Sequence, residues 1–189
     1  MIPFPSGRFR LVLADPPWQF RDRANAGKRG AEHKYPCMDW REIARLPVPD
    51  ICHPNCLLAM WWVGAMSVEA HKVVEAWGFR LVTMKGFTWA KLSPEGKVRF
   101  GTGHYTRANT EDCLFAVRGR PKRADAGVSQ LIIAPRTRKH SEKPPEARDR
   151  LVRLMGDVPR IELFAGERAP GWEAWGFEVS HSEGNSDGR

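Results

Sequence analysis

The chain has 189 residues, which is enough for one α/β domain and too few for two ordinary ones. With 42% hydrophobic and 28% charged residues, its composition excludes wholesale disorder, collagen and a coiled coil. Four cysteines are too few for a disulfide scaffold, and the N-terminus lacks the pattern of a secretory signal, so we expect a cytoplasmic protein. No run approaches the ~20 apolar residues of a membrane span, so we expect no membrane partner.

Basic residues outnumber acidic ones by 30 to 22, and two stretches carry most of the excess. Residues 116–143 contain eight basic and two acidic residues, a net charge of +6, and residues 21–34 contain five and two, a net charge of +3. A basic excess of this kind indicates a polyanionic partner, most often nucleic acid. A solubilising surface with no partner has the same pattern and is the alternative.

Strands and helices alternate along the predicted chain without an internal repeat. Apolar runs bounded by turn residues predict strands at 9–14, 57–63, 80–84, 87–91, 113–117, 131–134, 161–165 and 175–179. Helices are predicted after the capping box of Asp39 and Glu42, over residues 66–77 before Gly78, and after Pro144. Residues 19–38 read as a long mobile loop and 181–189 as a disordered polar tail, leaving 1–180 as one domain. This alternation predicts an α/β fold with a mostly parallel sheet and helices on both faces.

The tetrapeptide Asp15-Pro16-Pro17-Trp18 follows the first predicted strand, where α/β sheets place their ligand crevices. Two prolines donate no N–H and leave carbonyl oxygens as acceptors beside the Asp15 carboxylate. Trp18 offers a flat face on which a base could stack. Two acceptors next to an aromatic plate suit a planar group with an exocyclic NH₂, such as adenine N6. A strand-ending turn with a packed tryptophan is the alternative.

Ala14-Asp15-Pro16-Pro17-Trp18 resembles the signature of the MT-A70-like adenine N6-methyltransferases, which use S-adenosylmethionine. Further motifs of that family follow in family order and cover about residues 9–180. They are Tyr35-Pro36-Cys37-Met38, residues 58–63, residues 103–111, Val117-Arg118-Gly119, residues 140–144, residues 161–165, Pro170-Gly171-Trp172 and Trp175-Gly176. The resemblance implies a Rossmann-like methyltransferase fold in a permuted order, with the catalytic motif first and the cofactor strand near the C-terminus.

The resemblance also implies roles for individual residues. Asp15 and the Pro16 carbonyl would hold the adenine N6, while Pro17 shapes the turn and Trp18 stacks. The implied cofactor-binding residues are Asp15, Lys143, Glu162, Phe164, Gly166, Arg168, Gly176 and Glu178. The substrate-binding residues that we expect are Tyr35, Trp62, His104, Tyr105 and Arg107, with Arg118, Arg120, Lys122 and Arg123 contacting phosphates.

Two positions depart from the family pattern. Many relatives have Arg where this chain has Gly166, and Asn where it has Phe177. The Asn is a polar cofactor contact in the family, and a phenyl ring can neither donate nor accept a conventional hydrogen bond. We therefore expect weaker cofactor binding than in those relatives.

The sequence thus predicts a methyltransferase that transfers a methyl group from S-adenosylmethionine to adenine N6 in DNA. A duplex substrate would have to present its adenine flipped out of the stack. An RNA substrate and a catalytically silent nucleic-acid-binding subunit are the alternatives, and a homodimer or a partner subunit stays open. Cys52 and Cys56 have no second ligand pair at workable spacing, so we predict no metal site.

Overall fold

Seven strands form one sheet in the computed structural model, which describes residues 3–19, 37–101, 105–136 and 142–182. In chain order they are β1 (Phe9–Ala14), β2 (Cys52–Trp62), β3 (Arg80–Leu92), β4 (Thr110–Arg118), β5 (Leu131–Pro135), β6 (Arg160–Leu163) and β7 (Glu173–Trp175). Their spatial order is β5-β3-β4-β2-β1-β6-β7. Only β4 runs against the others, because it pairs antiparallel with β2 and β3 while the remaining pairs are parallel. The predicted α/β fold with a mostly parallel sheet is confirmed.

Helices follow several of the strands. They are α1 (Trp40–Ala44), α2 (Val48–Ile51), α3 (Ser67–Ala76), α4 (Glu146–Met155) and α5 (Phe177–Ser182). The predicted capping box is present at α1, where Asp39 accepts from the Arg41 N–H and Glu42 accepts from the Asp39 N–H. No helix in the described part of the chain is long and apolar enough to cross a membrane.

Helices cover the sheet on both faces, as the alternation of strands and helices predicts. On one face, α1 and α3 pack over Val12, Ala14 and Met60, and on the other α4 packs over Leu13 and Trp61. Because successive strand residues point to opposite faces, Asp15 follows Leu13 on the face that α4 covers. The alternation therefore decides which helix lies on the same face as the Asp15 carboxylate.

Several predicted strand boundaries are wrong, and β2 begins at Cys52, five residues before the predicted start. Residues 80–84 and 87–91 belong to one strand, β3, which continues through irregular pairing with β4 near Gly86. The predicted strand at 175–179 is instead the end of β7 followed by α5, which extends through residue 182 and so takes in the first two residues of the predicted tail. Apolar and polar residues alternate over 175–179, which imitates a strand, but Gly176 ends the pairing with β6.

All six parallel strands end at one edge of the sheet, and β4 begins there. We call it the carboxyl edge. Asp15 follows β1, and its N–H donates to the Leu163 carbonyl at the end of β6 (3.4 Å). Residues far apart in the sequence thus meet at the edge where α/β folds bind ligands.

Candidate active site

An ion pair lies at the end of β1. The Lys143 Nζ is 2.6 Å from Asp15 Oδ2 and 3.4 Å from Glu111 Oε2. Asp15 ends a central strand, Glu111 lies near the start of β4, and Lys143 directly precedes the prolines before α4. The lysine therefore bridges two carboxylates that β1 and β4 bring to the same edge. It also lies 5.7 Å from the centre of the Trp61 ring, a cation–π contact.

The charged cluster extends to a second lysine. Lys91, near the end of β3, forms an ion pair with Glu111 Oε1 and lies 5.3 Å from the Trp89 ring centre. Trp89 pairs with Glu111 in the sheet, so Lys91 and Glu111 project on the same face. Asp15, Lys143, Glu111 and Lys91 form a chain of alternating charge that we call the four-residue charge chain.

Burial and neighbouring charges shift the pKa values of this chain. Burial raises the pKa of Asp15 above its ordinary value, although Lys143 opposes that shift, and the Glu111 carboxylate adds to it. Burial also acts against the ionised form of Glu111, but Lys143 and Lys91 together hold the pKa of Glu111 below its ordinary value. For Lys143, burial lowers the pKa, and the attraction of Asp15 and Glu111 overcomes it and raises the pKa. Lys143 therefore stays an ammonium ion beside a carboxylate that is unusually easy to protonate.

The turn after β1 is held by its own backbone. The Pro16 carbonyl accepts from the Trp18 N–H (2.8 Å), and the Pro17 carbonyl accepts from the Met38 N–H (2.8 Å). Each proline carbonyl thus already accepts one backbone hydrogen bond, Pro16 from within the turn and Pro17 from Met38. A carbonyl oxygen has two lone pairs, so Pro16 keeps one for a ligand.

Trp18 packs inside the domain. Its ring is 6% exposed, it belongs to the core on the α1–α3 face, and its Nε1–H donates to the Trp61 carbonyl (3.0 Å). The packed-tryptophan alternative describes the ring in this structure. A stacking role for Trp18 stays a prediction that would require the ring to leave this position.

The implied cofactor residues cluster at the ends of β6 and β7, beside Asp15. Glu162 is buried and pairs with Arg148 Nε of α4 at 2.7 Å. Burial raises the pKa of Glu162, and the Arg148 charge opposes that shift. Phe164 has a φ of 62°, an uncommon conformation for a non-glycine residue, and its ring packs edge-on against Trp175.

Two glycines bring the ends of β6 and β7 close together. A Cβ on Gly166 would lie 2.9 Å from Glu178 Oε2, and one on Gly176 would lie 2.6 Å from the Ala165 nitrogen. Glu178 is exposed, and so is Arg168, which follows on the same connection. The cradle thus offers carboxylates, an aromatic ring and close backbone approach, which fits a nucleoside-containing cofactor with an amino-acid tail.

Phe177 begins α5 at the rim of this cradle. Its side chain is 55% exposed, so the ring does not turn into the core. The exposure therefore excludes the arrangement in which the ring packs into the core.

The predicted substrate residues fall into separate groups. Trp62 ends β2 at the carboxyl edge, where its Nε1–H donates to the Met84 carbonyl (2.9 Å). Tyr105 and Arg107 lie exposed in the connection between β3 and β4, at the same edge. Tyr35 and His104 lie outside the described residues.

The predicted phosphate contacts at 118–123 are not brought to Asp15. Because β4 runs away from the carboxyl edge, the eight steps from Thr110 to Arg118 cover about 26 Å at ~3.3 Å per residue. Arg118 Nη1 donates to the Pro49 carbonyl (2.8 Å), which ties β4 to α2. The exposed residues Arg120, Lys122 and Arg123 follow at that opposite edge. Charge marked this stretch, together with the Val117-Arg118-Gly119 motif for Arg118, but the sequence did not reveal the strand direction that carries it away from Asp15.

Other basic side chains are exposed at the carboxyl edge, where Asp15 lies. Lys97, Arg99 and Arg107 are exposed in the connection between β3 and β4, which continues as a hairpin in which the Arg99 N–H donates to the Lys91 carbonyl (2.9 Å). Phe100 lies among them with 69% of its surface exposed. Exposed aromatic and basic side chains together are typical of nucleic-acid surfaces.

Sequence reasoning missed two charged residues of the site. Lys91 and Arg148 carry no motif, and only the strand register and the position of α4 bring them to Glu111 and Glu162. One signal was available for Arg148: an acidic residue inside an apolar strand, as Glu162 is, requires a cationic partner.

The fold and this site define a Rossmann-like α/β methyltransferase domain. The MT-A70 family model matches residues 9–178. The chain is 30% identical to the type II methyltransferase M.MunI of Mycoplasma sp. over 93% of this chain and 79% of that protein. It is 28% identical to the human N(6)-adenosine-methyltransferase catalytic subunit METTL3, over 92% of this chain and 28% of that one. It is 27% identical to the human N(6)-adenine-specific methyltransferase METTL4, over 90% and 37%.

The chain belongs to the MT-A70 family, whose members are S-adenosylmethionine-dependent methyltransferases of the N6-adenine type. It spans only about a third or less of the two human relatives. The resemblance seen in its motifs is therefore confirmed at the level of the family.

Proposed function

We propose that this protein methylates the N6 atom of adenine in DNA. The observation that carries the proposal is the position of Asp15, a part-exposed carboxylate at the carboxyl edge, between the cofactor cradle and the ammonium of Lys143. A carboxylate there can accept from the exocyclic amine and aim its lone pair. Pro16 adds the second acceptor through its remaining lone pair.

The cofactor-binding residues would be those of the cradle, namely Glu162, Phe164, Gly166 and Glu178, with Lys143 at the charged tail. S-adenosylmethionine supplies an electrophilic methyl group when bound. Asp15 orients the amine, and the buried Trp18 and Trp61 keep the floor of the site closed to water.

Methylation requires the N6 nitrogen to release one proton. Asp15 is suited to hold that proton because burial raises its pKa, and 28% of its side chain is exposed, which gives the proton an exit. Lys143 stabilises the ionised form of Asp15 before the reaction and so keeps the acceptor available.

DNA is supported by the extent of the matches. The relative of which this chain spans 79% is named a type II methyltransferase, whereas 72% of the adenosine methyltransferase METTL3 lies outside the match. RNA is the second candidate because that relative is named for adenosine, the nucleoside of RNA. A silent subunit is the third, and the presence of both Asp15 and Lys143 argues against it.

The test is methyl transfer from labelled S-adenosylmethionine to matched DNA duplexes, DNA single strands and RNA of the same sequence. Digestion to nucleosides then identifies the product. We expect N6-methyladenine from DNA. Product from RNA alone would show that RNA, and not DNA, is the substrate. If the protein binds the cofactor but makes no product from any adenine-containing polymer, the proposed function is overturned.

A further inference from the structure

We propose that Lys91 is a positioning residue of the active site, which acts through Glu111 to keep Lys143 on Asp15 and so sets the pH at which Asp15 ionises. This inference rests on the proposed function for its catalytic meaning. Its geometry stands independently of that function, because it consists of contacts among described residues.

Two residues in the middle of the four-residue charge chain, Glu111 and Lys143, each pair with two neighbours of opposite charge. Glu111 uses Oε1 for Lys91 and Oε2 for Lys143, and Lys143 divides its contacts between Glu111 at 3.4 Å and Asp15 at 2.6 Å. A carboxylate held from one side by Lys91 binds Lys143 less tightly. Lys143 is thereby left closer to Asp15 than to Glu111.

The charges balance within the chain, since two carboxylates face two ammonium ions. Removing the positive charge of Lys91 leaves a net charge of −1 near Asp15, and Glu111 is then free to draw Lys143 away. Both effects favour the protonated form of Asp15, so its pKa rises further. Removing the negative charge of Glu111 acts in the opposite direction, because Glu111 now raises the pKa of Asp15.

The other titratable groups near Asp15 are unchanged in the Lys91 and Glu111 variants. Among the described residues, Glu162 of β6 and Cys113 of β4 interact electrostatically with Asp15, and Glu162 is neutralised by Arg148. Asp112 lies on the opposite face of β4, where it accepts from Thr88 Oγ1 at 2.5 Å. None of these three residues forms a hydrogen bond or ion pair with Lys91, whose side chain pairs with Glu111, so a substitution there reports on the route through Glu111.

The experiment is a carboxyl-carbon NMR titration of Asp15 in the whole protein, compared with the pH profile of kcat and KM. The variants are Lys91→Met, Lys91→Arg and Glu111→Gln, and the matched control is Lys85→Met, an exposed lysine on the same strand. We expect Lys91→Met to raise the Asp15 midpoint by about half a unit or more, a threefold change in proton affinity. Lys91→Arg and Lys85→Met should stay near wild type, and Glu111→Gln should lower the midpoint.

The acid limb of kcat should move with the midpoint, while KM stays within about twofold. A structural role alone would lower the melting temperature without moving either. If Lys91→Met does not fold, Glu111→Gln still tests the coupling. A folded Lys91→Met protein that keeps the wild-type Asp15 midpoint overturns the inference, and so does an unchanged midpoint in Glu111→Gln. A wild-type protein without methyl transfer overturns only the proposed function, because the NMR titration needs no turnover.

Discussion

Lys143 Nζ lies 2.6 Å from Asp15 Oδ2 although 128 positions separate the two residues in the chain. The contact exists because β1 ends, and the segment leading into α4 begins, at the same edge and on the same face of the sheet. The pair joins the Asp15-Pro16-Pro17-Trp18 tetrapeptide to the half of the chain that forms the proposed cofactor cradle.

Replacing Asp15 by alanine should abolish methyl transfer and leave the domain folded. The loss removes one acceptor for the amine, and a contact of this kind is worth ~10²-fold or more in rate. Lys143 keeps Glu111 as a counter-ion, so we expect the free energy of unfolding to fall by no more than about 2 kcal/mol. Single-turnover kinetics and urea denaturation measure the two effects.

Asp112→Asn is the control for that variant. Asp112 follows Glu111 on β4 and lies on the opposite face of the sheet from Asp15. The substitution removes its carboxylate charge and keeps a side-chain oxygen that accepts from Thr88. We expect its rate to match wild type. An Asp15→Ala protein that still makes N6-methyladenine within a few-fold of the wild-type rate would show that another group aims the amine.

Cations at the two edges of the sheet should differ in their effect on nucleic-acid binding. Replacing Lys97, Arg99 and Arg107 by alanine removes three charges at the carboxyl edge, and replacing Arg120, Lys122 and Arg123 removes three at the opposite edge. Each phosphate contact contributes about −0.9 to the slope of log K against log salt on B-DNA. We expect the first triple variant to flatten the slope by up to about 2.7 and the second to leave it unchanged. The reverse result would restore the 118–123 stretch as the phosphate-binding surface.

Phe177→Asn should tighten the binding of S-adenosylmethionine. The exposed ring stands where relatives place an amide, and a recovered neutral hydrogen bond is worth ~0.5–1.5 kcal/mol, or up to about tenfold in affinity. Calorimetry measures it, with Val68→Asn on α3 as a control for loss of an exposed apolar side chain. Weaker binding by Phe177→Asn would mean that the ring itself packs on the cofactor.

Arg148→Met should make stability strongly dependent on pH. The change leaves Glu162 buried without its main counter-ion, which destabilises a protein by ~3–5 kcal/mol when the carboxylate is ionised. The folded-state pKa of Glu162 is already raised and rises further in the variant, so the deficit is small in acid and grows as pH increases through that pKa. Urea denaturation from pH 4 to pH 8 measures it. A deficit that does not change with pH would contradict the burial of an ionised Glu162.

Much of the sheet could be predicted because its central strands are continuous apolar runs. Residues 9–14 match β1 to the residue, and Gly78 adopts the positive φ expected where a helix stops. The strand predicted at residues 175–179 is wrong because the alternation of apolar and polar residues over only five positions fits a strand and a short amphipathic helix equally well.

The candidate site could be predicted only as far as single motifs reach. Asp15 was identified from the tetrapeptide at the end of the first strand and Lys143 from the resemblance, and their contact needed the three-dimensional structure. Lys91 could not be identified, because its role depends on the antiparallel register of β3 and β4, which no local pattern encodes. The same reversal of β4 carries Arg118 away from the site that its charge suggested.

Trp18 and Met38 pair in an isolated parallel bridge, so two positions that are twenty residues apart in the sequence lie side by side in the fold. The bridge fixes both ends of the connection between them, and doubling the length of a segment between two fixed ends costs only about 0.6 kcal/mol in closure entropy. Asp15 lies three positions before Trp18, on the fixed side of the bridge. A change in the length of that connection should therefore leave the contact between Asp15 and Lys143 in place.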